Sequence, residues 1–168
     1  MLDLNLAFLG LILSIVYSAS EIALLASNPL QIDVWEKQEK RLARWASSIL
    51  DHKPEYLSVI LIGTNLSNIL ATSFATVYLL RTDWVPHKLI VIPIAVIILF
   101  FGEILPKSIM REYANFGLLL LSPFLKISCM VFKPVVIMLR KTGWMSISER
   151  GRDSEEEMEE KRDDLQHA

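Results

Sequence analysis

A chain of 168 residues is long enough for one ordinary domain, but 52% of it is hydrophobic and its mean hydropathy is +0.39, with the apolar residues gathered in blocks; that excludes an ordinary soluble domain. The net charge of −2 averages two regions, because residues 1–148 hold 13 Lys/Arg against 10 Asp/Glu (+3) and residues 149–168 hold 4 against 9 (−5). Cys129 is alone and His52, His87 and His167 are far apart, which excludes an intrachain disulfide, a cysteine metal cluster and a histidine ligand spacing.

Residues 4–26 form the first expected membrane span, about the length that a hydrocarbon core of ~30 Å requires at ~1.5 Å per residue. The N-terminus lacks a basic region, and no signal peptide is expected there. Ser14, Ser18 and Glu21 fall on one helical face, with Tyr17 and Ser20 beside it. A polar stripe that ends in a carboxylate points into protein or a wet cavity, not into lipid.

Asn28-Pro29 reads as a helix start, with Asn as cap and Pro at the first helical position. Residues 29–51 are too charged to span. Ile32, Trp35, Leu42, Trp45, Ala46 and Ile49 make an apolar seam opposite Glu36, Lys37, Glu39, Lys40, Arg41 and Arg44. This predicts an amphipathic helix or helical hairpin at the cytoplasmic surface of the membrane.

Lys53-Pro54-Glu55 opens the second expected span, residues 56–80. It contains a dense polar insertion, Gly63-Thr64-Asn65-Leu66-Ser67-Asn68. Asn65, Asn68 and Thr72 are placed on one face, and Gly63 with Ser67 forms a small-xxx-small pair that admits a close backbone. Ser58, Thr72 and Thr76 read as structural hydroxyls, bonded back to their own helix or to a neighbour. Trp84 is expected as an interfacial anchor before the third span, residues 85–106, which Pro93 kinks.

The third span ends in Gly102-Glu103-Ile104-Leu105-Pro106-Lys107. An acid there is expensive, roughly +2.5 to +3.5 kcal/mol at a helix centre. Pro106 removes a backbone donor and clashes with the preceding turn, so the helix should loosen and free carbonyls. An acid beside freed carbonyls at membrane depth predicts a cation site. Beyond it, residues 113–142 are apolar but interrupted by Pro123, Lys126, Lys133 and Pro134. They are expected to lie along the inner surface as a juxtamembrane helix with snorkelling lysines; a fourth span is the alternative. Residues 146–168 read as an acidic cytoplasmic linker.

Lys and Arg number five in 29–53, six in 107–141 and two in 81–88, with none before residue 29. That bias places the N-terminus outside and both basic segments in the cytoplasm, and three crossings would carry the tail inside. The fold expected is thus an all-α membrane protein of three transmembrane helices with an amphipathic hairpin and a juxtamembrane helix. Each span carries one polar cluster, and at ~1.5 Å per residue the clusters can meet on the cytoplasmic side of the midplane. Their hydroxyl, amide, carbonyl and carboxylate oxygens suit Mg2+, Ca2+ or Na+, not zinc or copper.

Ser18-Ala19-Ser20-Glu21-Ile22-Ala23-Leu24, Gly63-Thr64-Asn65-Leu66-Ser67-Asn68 and Gly102-Glu103-Ile104-Leu105-Pro106-Lys107 resemble the ordered signatures of the CorC/cyclin M (CNNM) transmembrane domain, over about residues 1–145. The resemblance implies a homodimeric magnesium transporter of the plasma or inner membrane, exporting Mg2+ in exchange for Na+. It also implies cytoplasmic CBS domains further along the full-length chain. Carried over by position, it implies Ser18, Ser20, Gly63 (through its carbonyl), Asn65, Asn68 and Glu103 around the ion. Thr64 stands directly after the motif glycine and competes with Asn65 as a ligand. Glu21 is a further ligand, a tuning acid or part of a Na+ site; Lys107 neutralises a carboxylate when the ion is away, or snorkels; Pro106 shapes the backbone. Homodimerisation and contact with membrane lipid are the partnerships expected, and none with nucleic acid. A sensor or scaffold that binds the ion and regulates another transporter is the alternative. An intramembrane hydrolase is not expected, because neither a His-Glu-x-x-His nor a Gly-x-Ser-x-Gly motif occurs.

Overall fold

The structure, a computed structural model, describes residues 2–82 and 91–141. Trp84, the start of the third expected span and the acidic segment 146–168 lie outside the described residues. The chain divides into two units, Met1–Met130 and Val131–Ala168. Every contact given below lies within the first; the described part of the second is helix, residues 131–141.

Among the described residues the secondary structure is wholly helical. Helix α1 runs Leu2–Ala26, α2 Pro29–Lys37, α3 Arg41–Asp51, α4 Lys53–Thr82 and α5 Val91–Ile97. A π-helix, Ile98–Ile104, then leads into α6, Leu105–Glu112, and α7 follows at Ala114–Lys141. The Asn28 side chain accepts from Leu30 N at 3.0 Å with Pro29 at the first position, the cap read from the sequence. Asn115 at the start of α7 holds the same corner, accepting from Asn28 N at 2.7 Å. Residues 29–51 form a hairpin of α2 and α3, turned at Glu39 with φ 58°.

Among the described residues, four segments are long and apolar enough to cross a membrane: Leu2–Ala26, Lys53–Arg81, Ile92–Glu112 and Ala114–Met138. This corrects the expected three. The third continues past 106 to Glu112, and residues 114–138 join as a fourth candidate span instead of a broken juxtamembrane segment. The reason is visible at Pro123. Its ring removes the bond to Leu119 O, but Ser122 Oγ donates to that carbonyl at 2.8 Å, so the helix continues without an orphaned acceptor. Lys126, expected to snorkel, sits over the Trp45 ring, 5.2 Å from its centroid.

Two buried clusters hold the first unit together. The larger joins Ala23 and Leu24 of α1 to Ile32, Ala46 and Ile49 of the hairpin, Tyr56 and Ile60 of α4, and Leu118, Leu119 and Leu125 of α7. The hairpin's seam is therefore divided: Ile32, Ala46 and Ile49 are buried, whereas Leu42 and Trp45 are exposed. The smaller cluster, Ala71 with Ile94 and Ile98, joins α4 to α5 and the π-helix, with Leu11 of α1 against it. Between these two apolar layers α1, α4 and the π-helix meet through polar side chains.

Candidate functional site

The π-helix is where the third span loosens. Leu105 N bonds Phe100 O, five residues back, so the ring is wider than an α turn. Pro106 has no N–H to offer Gly102 O in the α pattern. Ser14 Oγ of α1 approaches that carbonyl instead, at 3.3 Å, and also donates to Asn68 Oδ1 of α4 at 2.6 Å. Asn68 Nδ2 in turn donates to Glu103 Oε1 at 2.6 Å. One amide thus joins all three helices, and Ser14 Oγ, Asn68 Oδ1, Gly102 O and the Glu103 carboxylate are gathered at one level. Gly102 leaves Ser14 Oγ its place, because a Cβ would stand 2.9 Å from that oxygen and turn the hydroxyl away.

Of the residues read from the sequence, the structure brings Asn68 and Glu103 together. Ser18 lies one turn below Ser14; its hydroxyl is fully buried and has no hydrogen-bond partner, the one such side-chain atom among the described residues. Ser20 Oγ instead bonds back to Val16 O at 2.7 Å, and Thr64 Oγ1 to Ile60 O at 2.9 Å. The Gly63 carbonyl receives Ser67 Oγ at 2.7 Å. Asn65 is exposed and outside these contacts. Ser58, Thr72 and Thr76 bond back to the carbonyls of Pro54, Asn68 and Thr72, as expected for hydroxyls in an apolar span.

Lys107 and Glu21 form an ion pair at 2.8 Å, with side chains 33% and 20% exposed. The lysine therefore neutralises Glu21, and Pro106, between Glu103 and Lys107 in sequence, is buried. No group of three or more His, Cys, Asp or Glu side chains occurs among the described residues. A cation held at Glu103 would draw its other ligands from neutral oxygens and water. That donor set is hard and sparse in charge, the kind that Mg2+ accepts when it keeps several waters.

Sequence reasoning placed Ser14 on the polar stripe but left it out of the ion's surroundings. The signal was available: Ser14 precedes Ser18 by four residues on the same face. Gly63 was assigned a ligand carbonyl, but its position has a second reason. A Cβ there would overlap the ring of Tyr17, whose hydroxyl donates to Ser128 Oγ at 3.0 Å and whose ring tilts on Phe124 at 4.9 Å. Gly63→Ala is expected to lower stability by about 2 kcal/mol, because the ring is held on its far side by α7. In a double-mutant cycle with Tyr17→Leu, melting in detergent should show the second change recovering part of the loss. Additive losses would mean that the ring does not occupy that space.

A family model, the cyclin M transmembrane N-terminal domain, matches residues 5–167. The UPF0053 inner membrane protein YfjD of Escherichia coli (strain K12) is 30% identical over 102 residues, covering 60% of this chain and 24% of its own length. A UPF0053 protein of Haemophilus influenzae (strain ATCC 51907 / DSM 11121 / KW20 / Rd) is 32% identical over 127 residues, covering 75% of this chain and 30% of its own. The chain spans 24% and 30% of the length of these curated relatives.

Proposed function

The chain belongs to the cyclin M transmembrane family, and from that premise we propose that it is the membrane domain of a magnesium transporter. The observation that supports this most is the bridge through Asn68. Three helices place a hydroxyl, an amide and a backbone carbonyl around a single carboxylate, in segments apolar enough to span a membrane. An acid at that depth is retained at a cost of a few kcal/mol, and ion handling is the commonest reason for one.

Mg2+ is the substrate in this reading. Glu103 supplies the charge; Ser14, Asn68 and the Gly102 carbonyl replace some of the ion's waters, and Ser18 contributes its unpartnered hydroxyl. Binding needs Asn68 to give up its bond to Glu103, which couples occupancy to the contact between α4 and the π-helix. Transport follows by alternating access, with these helices rocking about the site. The Glu21–Lys107 pair, joining α1 to α6, must then hold or release as α1 moves. We further propose Na+ as the exchanged ion and a homodimer as the working unit. The inner membrane is the location, in keeping with YfjD being named an inner membrane protein, with the N-terminus outside and the basic 29–53 connection in the cytoplasm.

The test is Mg2+ flux in proteoliposomes made with the purified chain and read by an internal Mg2+ dye. Flux that rises with an opposing Na+ gradient is expected. Binding by calorimetry without any flux would instead make the chain an ion sensor that regulates another transporter.

A further inference from the structure

On the Leu2 side of the polar cluster, α1, α4 and α5 part around an apolar cavity of about 230 Å3, with Leu4, Leu11, Ala71, Ala75, Leu79 and Ile98 in its lining. Its floor is Leu11, Ala71 and Ile98, each about one helical turn from Ser14, Asn68 and Gly102 respectively. Charge stands next to this lining along the two helices. Asp3 precedes Leu4, Arg81 follows Leu79 by two residues, and Arg81 Nη1 pairs with Asp3 Oδ2 at 2.5 Å. The Arg81 side chain is 69% exposed and Asp3 15% exposed. From Arg81 back to the floor at Ala71 is ten residues of helix, about 15 Å at ~1.5 Å per residue. That is half of a hydrocarbon core of ~30 Å, the depth of one leaflet.

We propose that this cavity is a phospholipid site, with one acyl chain in the apolar slot and an ethanolamine-type headgroup on the Asp3–Arg81 pair. Lipid tails are as apolar as the slot, so the chain sets the lipid's place and the headgroup sets the preference. Arginine has donors in a planar fork that matches phosphate, and Asp3 engages Nη1 alone among the described contacts. The Asp3 carboxylate accepts from a primary ammonium, repels a headgroup that carries only negative charge, and finds no N–H donor in a quaternary ammonium. The pair is thus complementary to a zwitterion with phosphate first and ammonium beyond. The inference is independent of the transport reading, because neither Asp3 nor Arg81 contacts the Glu103 cluster.

Native mass spectrometry of the purified chain tests it, with equal amounts of phosphatidylethanolamine, phosphatidylglycerol and phosphatidylcholine bearing the same acyl chains. Phosphatidylethanolamine should be retained about tenfold over the other two, the ratio expected from one additional charge-assisted contact. Ala75→Leu, which fills the slot, should reduce the adducts of all three lipids. Asp3→Asn, which keeps the side chain's size but removes the charge that sorts the headgroups, should leave an adduct but erase the preference. Equal retention of the three lipids by the unaltered chain overturns the proposal, as does an Ala75→Leu chain that retains as much lipid as the unaltered one, or an Asp3→Asn chain that retains the three in the original proportions. A change in oligomer mass in Ala75→Leu overturns it too, since the slot would then hold a second copy of the chain. If Ala75→Leu does not fold, Asp3→Asn decides the matter through the headgroup preference alone.

Discussion

Glu103→Gln is expected to weaken Mg2+ binding by roughly 100-fold or more, and to stop flux, while the chain stays folded. The amide is nearly the same size as the carboxylate, and its oxygen can still accept from Asn68 Nδ2, the one bond that the carboxylate makes at 2.6 Å. What the change removes is the charge. Among the gathered donors Glu103 is the only ionisable one, since Ser14, Asn68 and the Gly102 carbonyl are neutral. Losing the charged partner of a desolvated cation costs about 3 kcal/mol, and about 1.4 kcal/mol is tenfold in Kd. Calorimetry with Mg2+ reads the affinity; a melting curve without Mg2+ checks the fold. Glu103→Ala should bind no better and should also melt earlier, because it leaves the buried end of Asn68 without its acceptor. Unchanged Mg2+ affinity in the glutamine variant would remove Glu103 from the site and, with it, the reason for reading the Asn68 bridge as an ion site.

Much of this arrangement was legible in the residue order, and the parts that were not share a cause. Spacing shows which residues share a face of one helix, but not which face turns toward a neighbour. Asn65 and Asn68 sit on adjacent flanks of α4, and the structure turns only Asn68 toward α1 and the π-helix. The hydroxyls of Ser20 and Thr64 looked like ligands for the same reason; each satisfies itself on its own helix, an outcome that spacing alone does not separate from coordination. The loosening near Gly102 was predictable because Pro106 dictates it through missing chemistry, not through packing. At Pro123 the same rule misled, because Ser122 supplies the bond that the proline withholds and α7 continues. At Pro123 the rescue is a neighbour's hydroxyl, whose direction the residue order does not give and the structure does.

The distance between α1 and α4 is set by a residue that carries no chemistry, and changing it should disturb both stability and the site. A Cβ at Gly10 would stand 2.6 Å from Ala71 N and 2.9 Å from Ala71 Cα. These are backbone atoms of a packed helix, so no side chain can swing aside; α4 itself must retreat. Small residues at such crossings are what let membrane helices approach closely. Gly10 lies one turn before Ser14, and Ala71 one turn after Asn68, so the retreat opens the Ser14–Asn68 bond of 2.6 Å. Gly10→Ala is therefore expected to cost about 1–3 kcal/mol by overpacking. It should also lower Mg2+ affinity, although it lies a full turn from the nearest donor. Leu9→Ala serves as the control, because Leu9 is exposed and its truncation leaves the crossing untouched. Melting in detergent and Mg2+ calorimetry on the two variants separate the cases. If Gly10→Ala melts and binds as Leu9→Ala does, the close crossing is not what positions Ser14 against Asn68. A loss of stability with full Mg2+ affinity would instead place the ion's donors on elements that do not depend on the α1–α4 contact.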